Sequence, residues 1–199
     1  MTDEQWQFLE GEFLTNSING ALQHSSTYAN KNEKDHETVR AVIRSVLCDL
    51  ATRYSGEVSD KHVKNIEDLA RRVTEKCASL LKGGHLRFGV AQKALNLYLK
   101  YLWCMGKIPP PPHCPFDRGI IQSKKLLDFP KDNWTEVDDD GTYLKWVSKA
   151  EEKRRNASGG SISEWELGVW NAAQPSGKGA CRQATSTEPF ARSTGLSRI

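Results

Sequence analysis

Residues 88–118 read Phe88-Gly-Val-Ala-Gln-Lys-Ala-Leu-Asn-Leu-Tyr-Leu-Lys-Tyr-Leu-Trp-Cys-Met-Gly106, followed by Lys-Ile, four prolines and His113-Cys-Pro-Phe-Asp-Arg118. Apolar and aromatic side chains recur through the first part at helical spacing, which predicts a helix over 90–105 that is buried over most of its girth. Gly106 can end this helix in the left-handed conformation. The prolines that follow cannot continue it, so residues 107–117 are expected to form a stiff, extended connector.

A narrow polar stripe runs along this otherwise apolar helix. It consists of Gln92, Lys93, Asn96 and Lys100, which share one face because residues three and four apart are neighbours on a helix. A buried asparagine needs hydrogen-bond partners. Asn96 therefore either ties the proline connector to the helix or lines a pocket, and the sequence leaves both interpretations open.

The start of the helix has the features of a phosphate-binding turn. Gly89 has no Cβ, so its backbone can approach an anion closely. The free backbone N–H groups and the positive end of the helix dipole favour phosphate at such a position. Arg87, just before the helix, adds a further donor. The alternative interpretation is that Gly89 only forms a turn.

The segment Gly89-Val-Ala-Gln-Lys-Ala-Leu95, together with Asp117, resembles the helix-hairpin-helix DNA glycosylases. Their signature is a Gly-Val-Gly-x-Lys-Thr-Ala turn that enters a helix and is followed by a loop and an essential aspartate. Ala91 stands where the family has its second glycine. The resemblance implies an enzyme that flips a base out of double-stranded DNA and cleaves its N-glycosidic bond, leaving an abasic site.

The resemblance also implies roles for individual residues. Asp117 would be the catalytic carboxylate and Lys93 a nucleophile or an electrostatic helper, with both side chains facing one cleft. The DNA would be bound by Gly89, Val90, Ala91, Gln92, Arg87 and Lys100. Simpler interpretations are that Lys93 is exposed or contacts phosphate, and that Asp117 caps a helix. Because nothing in the sequence shows Lys93 to be buried, we expect water to be the nucleophile and base release to occur without strand cleavage.

Three residues are candidates for the pocket of an extruded base. Asn96 belongs to the polar stripe, His113 could serve as a second acid or base, and Trp146 could stack on the base. Further tryptophans that could stack are Trp103, Trp134 and Trp165. Each of these tryptophans is also typical of a hydrophobic core.

The composition limits the remaining possibilities. The formal net charge of +3 permits nucleic acid as a partner without arguing for it. The five cysteines are scattered and odd in number, which disfavours a disulfide framework and a metal site and favours a reducing, cytoplasmic location. The N-terminus lacks a signal peptide pattern, and no apolar run is long enough to span a membrane. We expect no metal and no cofactor; the oligomeric state is not predicted.

The chain is predicted to be all-α: a compact multi-helix domain over 1–173 with a helix-hairpin-helix-like element, followed by a polar, loosely attached tail over 174–199. A short helix is expected at 3–14, a loop from Asn16 to Lys34, a short helix at 120–127 and a loop at 128–142. Ser59 or Asp60 is expected to cap the second long helix, and Ser161 and Glu164 to form a capping box. The principal helices are predicted at 36–54, 60–82, 90–105, 143–155 and 162–172.

The sequence is compatible with three functions. The first is a minimal DNA glycosylase, for which a hypermodified cytosine of phage DNA is a conceivable substrate and phage defence a conceivable role. The second is a non-enzymatic helical module that binds DNA or RNA through Gly89, Lys93, Lys100 and the basic run Lys149–Arg155. The third is a helical interaction protein of the toxin or antitoxin type, in which the polar stripe is a buried structural network.

Overall fold

The computed structural model describes residues 1–55, 61–157 and 160–173. Over these ranges it contains seven α-helices and no β-strand, so the predicted all-α class is confirmed. The helices are α1 (Asp3–Leu22), α2 (Glu33–Ala51), α3 (His62–Cys77), α4 (Phe88–Cys104), α5 (Arg118–Ile121), α6 (Asp140–Asn156) and α7 (Ile162–Ala173). The expected cap at Ser59 or Asp60 and the expected tail over 174–199 lie outside the described residues.

Helix α4 lies at the centre of the fold. It packs against α1, α2, α3 and the 3₁₀ turn Trp134–Glu136. Every residue from Phe88 to Asn96 is buried, and Leu95 and Leu99 have no exposed surface. Gly106 has a φ of 69°, so the predicted left-handed helix end is observed. The apolar character of this helix therefore reflects contact on several sides, as its sequence pattern predicts.

Helices α2 and α3 pack antiparallel, as a short connection between two long helices predicts. Two ion pairs show this arrangement: Asp49 pairs with Arg72 at 2.6 Å, and Arg53 pairs with Asp68 at 3.1 Å. The later of the two residues Asp49 and Arg53 thus pairs with the earlier of the two residues in α3. Beneath these pairs, the core is filled by aliphatic side chains of both helices, which include Val39, Ile43, Val46, Leu50, Ile66, Leu69 and Val73.

Helix α1 is longer than predicted, because it continues to Leu22 through a segment expected to be a loop. Leu14, Ile18, Ala21 and Leu22 form a buried stripe at helical spacing, which the intervening Asn, Ser and Gly residues obscure in the sequence. This stripe packs on α4. The ring of Phe13 stacks on that of Tyr101 at a centroid distance of 4.9 Å. Contact with α4 thus stabilises a helical segment whose own propensity is poor.

The ends of the other helices also differ from the predictions. Helix α3 ends at Cys77, because 3₁₀ turns and an isolated bridge between Leu81 and Tyr28 replace its expected last turn. Helix α5 covers only 118–121. Helix α6 begins at Asp140, since Asp139 Oδ1 accepts a hydrogen bond of 2.7 Å from the Thr142 amide and caps it. The capping box of Ser161 and Glu164 is present as predicted.

The connector 107–117 returns along α6 and α7. The Ser163 hydroxyl, at the start of α7, lies 2.7 Å from the Pro111 carbonyl oxygen and 3.0 Å from that of His113. His113 itself contacts the Tyr143 hydroxyl of α6 at 2.8 Å. A segment in which no backbone hydrogen bond joins two of its own residues is thereby held by partners on two helices, and it delivers Asp117 to the start of α5.

Gly89 is required for packing at the start of α4. Its amide donates a hydrogen bond of 2.8 Å to the Val137 carbonyl. An added Cβ would lie 1.7 Å from the Trp134 carbonyl oxygen, which is backbone and cannot rotate away. Absence of a side chain at this position therefore permits close contact between α4 and the 3₁₀ turn Trp134–Glu136.

Gly89→Ala is expected to lower the free energy of unfolding by about 3 kcal/mol, because the new methyl group forces the 3₁₀ turn away from α4. Gly11→Ala is the matched control. Gly11 lies within α1 and an added Cβ there meets no atom within 4 Å, so it should raise stability by about 0.5–1 kcal/mol through helix propensity. Urea denaturation measures both changes. Equal effects of the two substitutions would contradict the packing role of Gly89.

Candidate functional site

The structure brings Lys93 and Asp117 into direct contact across 24 residues of sequence. Lys93 Nζ donates to Asp117 Oδ2 at 2.7 Å. Lys93 lies in the second turn of α4 and Asp117 at the N-terminal end of α5. The second carboxylate oxygen, Asp117 Oδ1, accepts a hydrogen bond of 3.2 Å from the Ile120 amide. Asp117 therefore caps α5 and pairs with Lys93 at the same time.

The two members of this pair differ in their access to solvent. The Lys93 side chain is 10 % exposed, whereas the Asp117 side chain is 33 % exposed. The ammonium group thus points out of the interior towards a carboxylate that lies at the surface. A molecule arriving from solvent would meet Asp117 first.

The structure does not leave the start of α4 open to phosphate. Gly89, Val90, Ala91 and Gln92 are all buried. The Gly89 amide donates to the Val137 carbonyl oxygen. The amides of Val90 and Ala91 both donate to the Arg87 carbonyl oxygen. In this arrangement the four residues predicted to bind DNA are buried. The turn Trp134–Glu136 and Val137 pack against Gly89, and Phe116 bonds to Gln92. This corrects the expectation drawn from the glycine.

Lys100, also predicted to bind DNA, is held within the protein. Its Nζ lies 2.6 Å from Glu166 Oε2 of α7, and the two side chains are 13 % and 5 % exposed. The Lys100 ammonium also lies 5.5 Å from the ring centre of Trp170, which is itself largely exposed. The buried residues of α7 are Ile162, Ser163 and Glu166, and Trp165 and Val169 pack partly buried against the core.

The other predicted basic contacts are partly neutralised. Arg87 donates to the Glu136 carbonyl at 3.3 Å. Within the run Lys149–Arg155, Lys149 pairs with Glu152, and both Arg154 and Arg155 pair with Glu151. The acidic residues inside the run thus offset much of its charge. An extended cationic stripe is not formed there.

The predicted base pocket is instead part of the interior. Asn96 and Trp146 have no exposed surface, and His113 is largely covered. Trp146 Nε1 donates to Asp132 Oδ2 at 2.7 Å, and the Trp146 ring packs against the ring of Phe116. Asn96 and Trp146 therefore cannot stack on or bind an incoming base in this conformation. Asn96 matches neither interpretation that the sequence left open, because its side chain is buried and bonds to residues of α3, α4 and α6 rather than to the connector.

Asn96 is the centre of a buried hydrogen-bond network. Its Nδ2 donates at 3.2 Å to both Gln92 Oε1 and the Tyr143 hydroxyl, and its Oδ1 accepts from His62 Nε2 at 2.8 Å. On the far side of the ring, His62 Nδ1 contacts the Tyr54 hydroxyl at 2.8 Å. Asn96 thereby joins α3 and α6 to the polar stripe of α4.

The donors in this network have one consistent arrangement. Because Asn96 Oδ1 is an acceptor, His62 Nε2 carries the proton, and His62 Nδ1 accepts from Tyr54. Tyr54 in turn accepts from Asn65 Nδ2 at 3.0 Å. The Tyr143 hydroxyl accepts from Asn96 and donates to His113 Nδ1. Both histidines are therefore required in their neutral forms.

Burial reinforces this requirement. Loss of solvation, together with a smaller effect of the nearby His113, lowers the pKa of His62 to about 3. Burial likewise lowers the pKa of His113 to about 4. The two rings meet edge to face with centroids 4.8 Å apart. A proton on either ring would be poorly solvated and would disrupt hydrogen bonds that need an acceptor nitrogen.

Two buried ionisable residues were not identified from the sequence. His62 occupies the first position of the apolar stripe of α3, followed at helical spacing by Ile66, Leu69 and Val73, and this pattern indicates a buried histidine. Glu166 lies four residues from Ile162 on α7, but a carboxylate between the apolar residues Trp165 and Leu167 gives no sequence signal that it is buried. Burial raises its pKa, although Lys100 opposes this effect.

The described residues hold no group of three or more His, Cys, Asp or Glu side chains arranged to bind a metal ion. In the same part of the chain, no helix is both long and apolar enough to cross a membrane. No protein-family model, curated protein or solved structure matches the chain. The case for a function is therefore based on the geometry of the site and on the resemblance of the short motif.

The stability of the protein is expected to fall as the pH is lowered from 6.5. The pKa of His62 is lowered in the folded state, so His62 is protonated in the unfolded chain at a higher pH than in the folded protein. This protonation stabilises the unfolded state and lowers the free energy of unfolding. The loss approaches about 1.4 kcal/mol per pH unit for such a group and continues down to the folded pKa. Denaturation between about pH 7 and pH 4 measures this slope.

His62→Gln should reduce the pH dependence, whereas His24→Gln should leave it as in the wild type. His24 is exposed, so the second variant makes the same substitution outside the network. Comparison of the two variants with wild type cancels the contribution of carboxylates that titrate over the same range. Identical slopes for all three proteins would show that His62 is not held neutral.

Proposed function

We propose that this chain is a DNA glycosylase of the helix-hairpin-helix type, in which Asp117 is the catalytic carboxylate and Lys93 its electrostatic partner. The observation that supports the proposal is the contact of 2.7 Å between Lys93 Nζ and Asp117 Oδ2. It joins the two residues that the resemblance to this enzyme family selects. The carboxylate also follows a loop after helix α4, which is the order of elements in the family signature.

The proposed reaction is hydrolysis of the N-glycosidic bond. As the bond between the sugar C1′ and the base lengthens, positive charge develops on the sugar, and the carboxylate of Asp117 stabilises it. Asp117 also orients the water whose oxygen adds to C1′. The base departs with a proton, and an abasic site is left. The partial exposure of Asp117 supports this role, because the carboxylate must meet a substrate that comes from outside.

Lys93 is proposed to orient Asp117 rather than to attack the sugar. A lysine that donates to a carboxylate at 2.7 Å does so as an ammonium, which has no lone pair for attack on C1′. The ammonium fixes one carboxylate oxygen while the Ile120 amide fixes the other. The enzyme is therefore proposed to be monofunctional, releasing the base without cleaving the strand.

Double-stranded DNA would be held by side chains near Asp117 rather than by the start of α4. Arg118 follows the carboxylate directly and is exposed, as are Lys124 and Lys125 beyond α5. Cations at these positions can contact phosphates on either side of an extruded nucleotide. A hypermodified cytosine of phage DNA is proposed as the base, to be tested beside other cytosines.

A second candidate is a helical interaction protein without enzymatic activity. The specific observation in its favour is that the start of α4 is closed, with Gly89 to Gln92 buried and the turn Trp134–Glu136 and Val137 packed against Gly89. Lys93 and Asp117 would then only tie the connector to α4. Retention on a DNA column that weakens with salt would distinguish a DNA-binding protein from this alternative.

Asp117→Asn is expected to slow base release by about 10²–10⁴-fold, because the amide cannot stabilise positive charge at C1′. DNA binding should persist or strengthen, since a negative charge near phosphate is removed. The assay uses duplex DNAs with unmodified, deaminated, methylated, hydroxymethylated and glucosylated cytosines. Alkaline cleavage reveals the abasic sites.

Asp139→Asn is the matched control for this variant. Asp139 also caps a helix through a carboxylate oxygen, so the same substitution tests loss of charge at a helix start away from Lys93. It should release bases at the wild-type rate. Retention of wild-type activity in Asp117→Asn, or absence of base release by the wild type from all of these DNAs, would reject the glycosylase proposal.

Borohydride is expected to trap no covalent adduct between the wild-type protein and its substrate DNA, because Lys93 is bound to Asp117 as an ammonium. Lys93→Met should slow base release by roughly tenfold through loss of the orientation of Asp117, a smaller effect than that of Asp117→Asn. Trapping that disappears in Lys93→Met, together with strand nicking, would instead identify Lys93 as the nucleophile.

A further inference from the structure

Gln92 forms a two-point contact with the backbone of Phe116. Its Nε2 donates to the Phe116 carbonyl oxygen at 2.7 Å, and the Phe116 amide donates to Gln92 Oε1 at 3.3 Å. Neither residue has any exposed surface. A side-chain amide that pairs with a backbone donor and acceptor at once fixes both the position and the orientation of that backbone.

The backbone held in this way belongs to the residue immediately before Asp117. The Phe116 carbonyl is part of the peptide group that links the two residues, so the contact with Gln92 limits rotation at the point where the Asp117 side chain originates. Gln92 is also the sequence neighbour of Lys93. One turn of α4 therefore supplies both a clamp for the backbone and an ammonium for the side chain.

Gln92 is itself held by the network behind it. Its Oε1 accepts from Asn96 Nδ2 at 3.2 Å, and Asn96 Oδ1 accepts from His62 Nε2 at 2.8 Å. These contacts determine which end of the Gln92 amide faces the Phe116 carbonyl, because reversal would place two donors opposite each other. The amide is thus preorganised before any substrate arrives.

We propose that Gln92 is a positioning residue, which holds the Phe116 backbone so that Asp117 keeps the orientation needed for reaction. The inference rests on the proposed function, because it assigns the purpose of the clamp to Asp117. It differs from the role implied by the motif resemblance, in which this position contacts DNA. Gln92 acts on the substrate only through Asp117, because it is buried and cannot touch DNA.

Gln92→Glu tests the proposal through its pH dependence. The ionised carboxylate cannot donate to the Phe116 carbonyl and is repelled by it, whereas the protonated acid can donate and restores the two-point contact. Burial raises the pKa of an introduced carboxyl group. At about pH 8 we expect kcat to fall by roughly 10²-fold with little change in KM. The ratio to wild type should recover as the pH is lowered to about 5.

Asn65→Asp is the matched control. It makes the same amide-to-acid substitution at a buried site of the same network, where Asn65 contacts Tyr54 and Arg53 and does not touch the connector. Its kcat, corrected for the folded fraction, should stay near that of wild type at each pH. A purely structural effect of charge in the interior would instead appear in both variants.

A second measurement does not depend on activity. In Gln92→Met the Phe116 amide loses its acceptor, so its hydrogen exchange should become at least tenfold faster relative to the Met105 amide at the other end of α4. Unchanged exchange, or a Gln92→Glu kcat equal to wild type at all pH values, would overturn the role of Gln92 and leave the proposed function standing. Absence of base release by the wild type would overturn both.

Discussion

The hydrogen bonds of Asn96 are the constraint on which the rest of the fold depends. A polar amide with no exposed surface is costly unless each of its groups is paired. The partners of Asn96 come from α3 through His62, from α6 through Tyr143 and from α4 itself through Gln92. These elements must therefore meet at one point with fixed donors and acceptors. Apolar contacts alone would allow them to slide.

This constraint extends to the surface through the connector. Gln92 bonds to Phe116, Tyr143 contacts His113, and Ser163 contacts the carbonyls of Pro111 and His113. No backbone hydrogen bond joins two residues of the connector, so its position is determined by these partners. The location of Asp117 follows from the interior, since the backbone that delivers it is bonded to a buried side chain. The same contacts therefore hold the connector in place and fix the position of Asp117.

The sequence predicted the features that depend on periodicity. The all-α class, the burial of α4 and its end at Gly106 all follow from local patterns. It did not predict the purpose of Gly89, because a glycine that permits close packing and one that admits a phosphate look alike until the neighbouring turn is placed. The helix over 16–22 was missed for a similar reason, since contact with α4 rather than local propensity stabilises it.

Helix α4 carries two lysine–carboxylate pairs two turns apart, and their difference in burial indicates which of them is suited to chemistry. Lys100 and Glu166 are both deeply buried, and burial raises the pKa of Glu166. A substrate cannot reach this carboxylate without displacing α7, so the pair joins α7 to the core. Lys93 is equally enclosed, but its partner Asp117 lies partly in solvent. The same type of ion pair therefore serves as an internal tie where both partners are enclosed. It becomes a candidate reactive group only where the carboxylate remains accessible.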